Sequence, residues 1–227
     1  MTTAEKFLNA FNTIERYLTQ YNLNKGYASF SRLVDYAVLK DKVVAQYKDD
    51  LKQFAELRNA IVHNTRLGDN RVIAEPHEDV VKEIELIAEM LLHPTRAIEK
   101  ATKKVVTFHI NDLLTTVLSQ INTSKFTQFP IYNGKTYVGL LTESGITRYF
   151  AANHQKDIST IKLSEVMTYE QKERAAFVGE GATEMEVVSM FKSYNEQNEK
   201  LEAVLITDTG NKDGKLIGLI TLYDLLN

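Results

Sequence analysis

The sequence predicts an α+β protein in two parts, an N-terminal all-α helical bundle over residues 1–95 and a tandem α/β pair over residues 105–227. In the first part apolar residues recur every three or four positions, which is typical of amphipathic helices. In the second part short runs rich in β-branched and aromatic residues alternate with helix-length segments. An internal repeat divides this second part into two units, and a short basic segment at 96–104 is expected to be the linker.

Four amphipathic helices are expected in the first part. The first begins near Thr3, its expected cap, and ends before Gly26, and the others run from about 30 to 39, from about 43 to 62, and from just after Pro76. A turn is expected at 67–70. The apolar positions expected to face the core include Phe7, Phe11, Ile14 and Leu18 in the first helix, and Val80, Ile84, Ile87, Met90 and Leu91 in the fourth.

The repeat is visible in the second part because residues 134–142, GKTYVGLLT, resemble residues 214–221, GKLIGLIT. Each stretch follows an apolar strand and a turn, and each ends on a threonine at which a helix is expected to begin. The sequence therefore predicts two units of the same design, repeat one over 105–153 and repeat two over 162–227.

Composition limits the classes of function. Hydrophobic residues make up 44% of the chain and charged residues 25%, which is typical of a folded globular protein. A net charge of −3 argues against a general DNA-binding surface, and the lack of cysteine excludes disulfides and cysteine-ligated metals. No apolar run is long enough to cross a membrane. We expect a cytoplasmic protein with neither DNA nor a membrane as partner.

The end of repeat two carries the clearest candidate for ligand binding. Thr221 stands at the expected helix start and Asp224 follows three residues later on the same face of the first turn. A hydroxyl at a helix N-terminus favours phosphate, and a carboxylate accepts hydrogen bonds from the vicinal hydroxyls of a ribose. An isolated Thr-x-x-Asp is more often only a helix cap, and that alternative stays open on these two residues alone.

With the repeat taken into account, residues 105–227 resemble the CBS-domain family. The resemblance rests on the Gly-hydrophobic-hydrophobic-Thr motif in both units, on Phe129-Pro130-Ile131 and on the opening segment 162–168. It implies a two-repeat module that binds AMP, ATP, S-adenosylmethionine or a cyclic dinucleotide such as cyclic di-AMP as a regulatory ligand, with no cofactor required. By the family pattern, the ligand-binding residues would be Thr221 at phosphate, Asp224 at ribose, Ala203 and Val204 in the adenine slot, and Thr142 as the counterpart of Thr221.

Repeat one departs from the pattern at one position. Gly145 stands where repeat two has Asp224, which removes the acceptor for ribose hydroxyls. The sequence therefore predicts one competent nucleotide site and a second that is vacant, weaker or used by the far end of a larger ligand. Arg148 and Arg174 are candidates for phosphate contact, although exposed arginines are more often only solvated.

The helical part contains a second cluster of polar groups, Arg58, Asn59 and His63, near the end of the third expected helix. A histidine that moves a proton and an arginine that stabilises a phosphorane are sufficient for metal-free RNA cleavage. The Arg-Asn-x-x-x-His pattern resembles the HEPN family, and the resemblance implies His63 as the general acid or base, Arg58 at phosphate and Asn59 as the orienting residue. The alternative is that these residues brace the helix end.

Two functions are therefore carried forward. The first is a regulatory protein whose tandem pair binds an adenine nucleotide and signals to the helical domain. The second is a nucleotide-gated, metal-independent HEPN-type endoribonuclease, so whether the protein is an enzyme stays open, with RNA as a candidate partner. A homodimer suits both functions. No histidine spacing indicates a metal site.

Overall fold

A computed structural model describes residues 1–23, 26–62, 74–124, 126–171 and 174–226. The chain divides into two compact units, Met1–Thr95 and Arg96–Asn227, and each is described separately here. Among the described residues no helix is long and apolar enough to cross a membrane.

The first unit is helical. Its helices are α1 (Thr3–Leu18), α2 (Phe30–Ala37), α3 (Lys42–Gln46), α4 (Lys48–Val62) and α5 (Glu78–Leu92), and a 3-10 turn at Thr19–Tyr21 follows α1. The predicted apolar stripe of α1 is buried over its whole length. Aromatic rings join it to its neighbours, since Phe11 stacks on Phe30 at 4.2 Å and Phe7 meets Phe54 edge to face at 5.9 Å.

Three details of these helices differ from the sequence prediction. Thr2, not Thr3, caps α1 in a reciprocal arrangement with Glu5. The helix expected over 43–62 is broken at Tyr47, whose backbone (φ −102°, ψ 23°) is not helical. In α5 the predicted Ile84, Ile87 and Leu91 are buried, but Val81 and Ala88 are buried where Val80 and Met90 were expected. The turn expected at 67–70 lies outside the described residues.

The second unit contains two three-stranded sheets of the same topology. The first sheet has the order β1 (Phe108–His109), β2 (Gln128–Asn133), β3 (Thr136–Thr142), and the second has the order β4 (Ala175–Gly179), β5 (Ala203–Thr207), β6 (Leu216–Ile220). In each sheet the first pair of strands is parallel and the second pair is antiparallel. The helices of this unit are α6 (Ala97–Lys100), α7 (Leu114–Thr123), α8 (Glu143–Ala152), α9 (Leu163–Val166), α10 (Glu184–Glu196) and α11 (Leu222–Leu225).

The repeated glycine inside β3 and β6 lies close to neighbouring side chains. A Cβ on Gly139 would lie 2.7 Å from the Met167 side chain, and a Cβ on Gly218 would lie 2.9 Å from Ile98 and 3.0 Å from Ala101. In both sheets a helical segment from outside the sheet lies directly against the third strand. At Gly218 one near atom is the Cβ of Ala101, which is fixed to the backbone, so a larger residue would push this segment away. At Gly139 the near atom is the end of the flexible Met167 side chain, which can turn aside.

The segment expected to be a linker, 96–104, packs against the second repeat. It contains α6, whose Ala97 is fully buried in the second repeat's core, and Thr102 exchanges two backbone hydrogen bonds with Leu219 of β6 at 2.9 and 3.1 Å. The basic composition of this segment predicts exposure, but its apolar Ala97 and Ile98 bury against the sheet. Residues from the N-terminal side of repeat one thus become part of the core of repeat two.

Candidate ligand-binding site

The junction of β6 and α11 places Thr221 and Asp224 next to each other, as the sequence predicts. Asp224 Oδ2 accepts a hydrogen bond from the Thr221 N–H at 2.7 Å and one from the Thr221 hydroxyl at 2.8 Å. Because both bonds end on Oδ2, they leave Oδ1 to other donors. Thr221 is the extended residue that begins α11. The pair is a helix cap and also a carboxylate held in a defined orientation.

This pair borders a cavity of about 570 Å³ that both repeats form, and we call it the Thr221 cavity. Its volume is in the range of small-molecule sites. Apolar side chains make one wall, and Thr221 with Asp224 makes a polar end. The lining residues are Thr102, Val105, Val106, Phe126, Thr127, Gln128, Phe129, Leu219, Thr221, Leu222, Tyr223 and Asp224.

Asp224 is the one charged side chain among the described residues that line the Thr221 cavity. None of the described residues that line it is a lysine or an arginine. The helix that begins at Thr221 has only four residues, so its dipole contributes little to anion binding. The Thr221 hydroxyl donates its proton to Asp224, so it can donate to a phosphate only if that hydrogen bond breaks, whereas the apolar side chains and the Asp224 carboxylate match a base and a ribose.

The residues predicted to form the adenine slot lie at the start of β5. Ala203 and Val204 are fully buried at the start of β5 and do not line the Thr221 cavity. The Ala203 N–H points to the Arg174 carbonyl, and the Arg174 side chain reaches Ser144 of repeat one. The strand start of each repeat thus lies near the helix start of the other, and residues 126–129 of repeat one border the cavity at Thr221.

In repeat one a residue from elsewhere in the chain replaces the missing aspartate. Glu170 Oε1 accepts hydrogen bonds from the Thr142 N–H at 2.6 Å and from the Thr142 hydroxyl at 3.0 Å. A Cβ at Gly145 would overlap the Glu170 carboxylate. The sequence analysis did not find Glu170, since it lies 28 residues from Thr142. Its only indication in the sequence was the glycine at 145.

Two arginines and a serine complete this group, and we call Thr142, Ser144, Arg148, Glu170 and Arg174 the Thr142 cluster. Arg148 and Arg174 both reach the Ser144 hydroxyl, at 3.3 and 3.4 Å. Arg148 lies 3.9 Å from Glu170, and Arg174 forms a buried ion pair with Glu202 at 2.6 Å. Each arginine buries an Nε atom that has no hydrogen-bond partner among the described residues. Both predicted phosphate-binding arginines thus belong to repeat one's cluster.

Burial controls the protonation of Glu170. Its side chain is only 4% exposed, and this burial raises the pKa of the carboxyl above its ordinary value. The hydrogen bonds from Thr142 and the charges of Arg148 and Arg174 act in the opposite direction. The net shift is upward, so desolvation outweighs the attraction of the two arginines.

The polar cluster of the helical unit is described only in part. On α4 the Arg58 guanidinium lies 6.0 Å from the ring centre of Phe11 and 3.4 Å from the Asn59 side-chain oxygen. His63 lies outside the described residues. These contacts involve Arg58 in packing, and the catalytic role of the three residues stays a prediction. It is tested by incubating RNA with the protein and with His63→Ala in EDTA, where equal cleavage by both would exclude the role.

Comparisons with known proteins give the following results. No curated protein was found to match the chain, and within the described residues no group of three or more histidine or acidic side chains is arranged to hold a metal ion. Three solved structures are similar in fold at TM-scores of 0.44 to 0.45. The CBS domain of a bacterial CNNM/CorC family Mg²⁺ transporter in complex with ATP is 18% identical, over 64% of this chain and 94% of that one. CBSX2 in complex with AMP is 15% identical, over 58% and 93%. A CBS domain protein of unknown function from Thermoplasma acidophilum is 18% identical, over 59% and 68%.

The family itself is shown by sequence. The family model of the CBS domain matches residues 96–152 and 163–227, which together make up more than half of the chain. The first match begins at Arg96, in agreement with the packing of α6 onto the second repeat. The HEPN-like interpretation of the first unit is not confirmed by any match. The chain belongs to the CBS-domain family.

Proposed function

We propose that this protein is a regulatory protein that binds an adenine-nucleotide-type ligand in the Thr221 cavity. The observation that carries the proposal is the position of Asp224, a carboxylate held by Thr221 at the polar end of an apolar cavity of about 570 Å³. The base would lie against the apolar wall that includes Val105 and Phe129. The ribose hydroxyls would donate to Asp224.

Membership in the CBS-domain family supports the ligand class. The family pattern assigns the ribose to Asp224, and residues of both repeats line the cavity that Asp224 borders. A ligand in this position would touch Thr102, Val105, Val106 and residues 126–129 before and within the first sheet, and Leu219 and residues 221–224 of the second repeat. Binding would therefore stabilise one arrangement of the two repeats over others, as a regulatory ligand must do.

We also propose that the protein is a homodimer and that ligand binding changes the conformation of the helical unit. Thr102, Val105 and Val106 line the cavity and follow closely on α6, the first element after the helical unit in sequence. Hydrogen exchange tests this part of the proposal. On ligand addition we expect slower exchange in α6 and changed exchange in the helices of residues 1–95, and light scattering should report two chains per particle. A helical unit whose exchange is unaffected would contradict the transmission.

The binding test is calorimetry with AMP, ATP, S-adenosylmethionine and cyclic di-AMP. Asp224→Ala should weaken binding by at least tenfold, because a carboxylate hydrogen bond contributes about 1.5–3 kcal/mol and about 1.4 kcal/mol corresponds to a factor of ten. The matched control is Asp213→Ala, which removes an exposed acid on the turn between β5 and β6 of the same repeat. Binding of none of the four compounds, or equal weakening in both variants, would contradict the proposal.

A further inference from the structure

We propose that Glu170 is a built-in occupant of repeat one, which closes Thr142 to ligand and limits the chain to one nucleotide. That the remaining ligand is a nucleotide bound at Thr221 rests on the proposed function. That Glu170 closes Thr142 rests on the geometry of the Thr142 cluster.

The first step is the equivalence of the two carboxylates. The Thr142 N–H and hydroxyl donate to Glu170 at 2.6 and 3.0 Å, and the Thr221 N–H and hydroxyl donate to Asp224 at 2.7 and 2.8 Å. Both threonines begin a helix at the end of the third strand of their sheet. Glu170 therefore satisfies the same donors that Asp224 satisfies, although it comes from the first part of repeat two.

The second step is the dependence of this arrangement on Gly145. The first turn of α8 passes so close to Glu170 that even a methyl group at position 145 would overlap the carboxylate. An aspartate at 145 and a glutamate at 170 thus compete for the same space. The glycine in the sequence is explained as the condition for Glu170 to enter, and it is more than the loss of an acceptor.

The third step is access. The Glu170 side chain is 4% exposed, and Arg148 lies over its second oxygen at 3.9 Å. Asp224, in contrast, lines a cavity. A ligand at Thr142 would have to displace a carboxylate that is hydrogen-bonded and buried, whereas a ligand at Thr221 meets a carboxylate already facing open space.

The fourth step is what removal of Glu170 would leave behind. Arg148 and Arg174 would remain on either side of Ser144, each with a buried Nε that has no partner among the described residues. The Thr142 N–H and hydroxyl would lose their acceptor. Such a group of donors suits the phosphate of a nucleotide, so loss of the glutamate should convert repeat one into a second binding site.

The experiment measures binding stoichiometry by calorimetry with the same four compounds, for the full chain and for Glu170→Ala. We expect one ligand per chain in the unmodified protein and two in Glu170→Ala for at least one compound. Glu143→Ala is the matched control, because this exposed acid follows Thr142 directly and should leave the stoichiometry at one. Asp224→Ala combined with Glu170→Ala should retain one ligand, now in repeat one.

The outcomes separate this inference from the proposed function. If the unmodified protein binds nothing and Glu170→Ala binds one ligand, the Glu170 inference holds and the proposal for the Thr221 cavity fails. Equal stoichiometry in the unmodified protein and Glu170→Ala overturns the inference, and so does a double variant that binds nothing. Should Glu170→Ala not fold, the same criteria apply to Glu170→Ser, which also removes the carboxylate and most of the side chain.

Discussion

The two repeats solve the same local problem with different residues. At the start of its helix each has a threonine whose N–H and hydroxyl donate to a carboxylate, but in repeat two that carboxylate is three residues away and in repeat one it is 28 residues away. The local pair leaves its carboxylate at the edge of a cavity, and the distant pair buries it among arginines. If Glu170 closes repeat one as we propose, the position of an acid in space, and not its place in the motif, decides whether the threonine is open to a ligand.

The largest expected effect concerns Arg174, which belongs to the Thr142 cluster and also forms a buried ion pair with Glu202 inside repeat two. Arg174→Ala should lower the free energy of unfolding by about 3 kcal/mol, because it leaves the Glu202 carboxylate, 9% exposed, without its closest cation. Lys200 also contacts Glu202, at 3.0 Å, but its side chain is 70% exposed. Lys200→Ala is the control and should change stability by less than about 0.5 kcal/mol in urea unfolding. Equal effects would show that burial does not distinguish the two cations.

A smaller difference is expected between the two threonines. Thr142→Ala should lower the free energy of unfolding by about 2 kcal/mol. Thr142 is 3% exposed, and its hydroxyl donates to the buried Glu170 carboxylate and accepts from the Gly145 N–H. Thr221→Ala should cost about 1 kcal/mol, the usual value for a helix cap that is partly exposed. For ligand affinity we expect the reverse order, with only Thr221→Ala weakening binding. Thermal and urea unfolding together with calorimetry check both orders.

The smallest effect is the pH dependence of Glu170, because the two arginines oppose the effect of burial. Its pKa is raised in the folded state, so the folded protein binds this proton more tightly than the unfolded chain does. Stability relative to Glu170→Gln should therefore fall as pH rises from the ordinary range of a carboxyl through the raised pKa. Urea unfolding of both proteins at a series of pH values measures this difference. If the stability of the unmodified protein relative to Glu170→Gln stays constant or increases as pH rises, the pKa of Glu170 is not raised in the folded state.

Much of the fold was predictable because its causes are local. The spacing of Phe7, Phe11, Ile14 and Leu18 places one face of α1 in the core whatever the neighbouring helices are. The repeated GLLT and GLIT motifs predicted two similar sheets for the same reason. The break at Tyr47 and the burial of Val81 rather than Val80 in α5 were not predictable, because they depend on which surface each helix meets.

The candidate site divides in the same way. By itself the sequence determined the Thr221 and Asp224 pair, since three residues of a helix bring the two side chains together without help from the rest of the chain. Only the tertiary structure decided that residues 126–129 border this pair, that Ala203 and Val204 are buried elsewhere, and that Glu170 reaches Thr142. The physical reason is that these contacts join segments far apart in sequence, whose meeting depends on how the two repeats pack against each other.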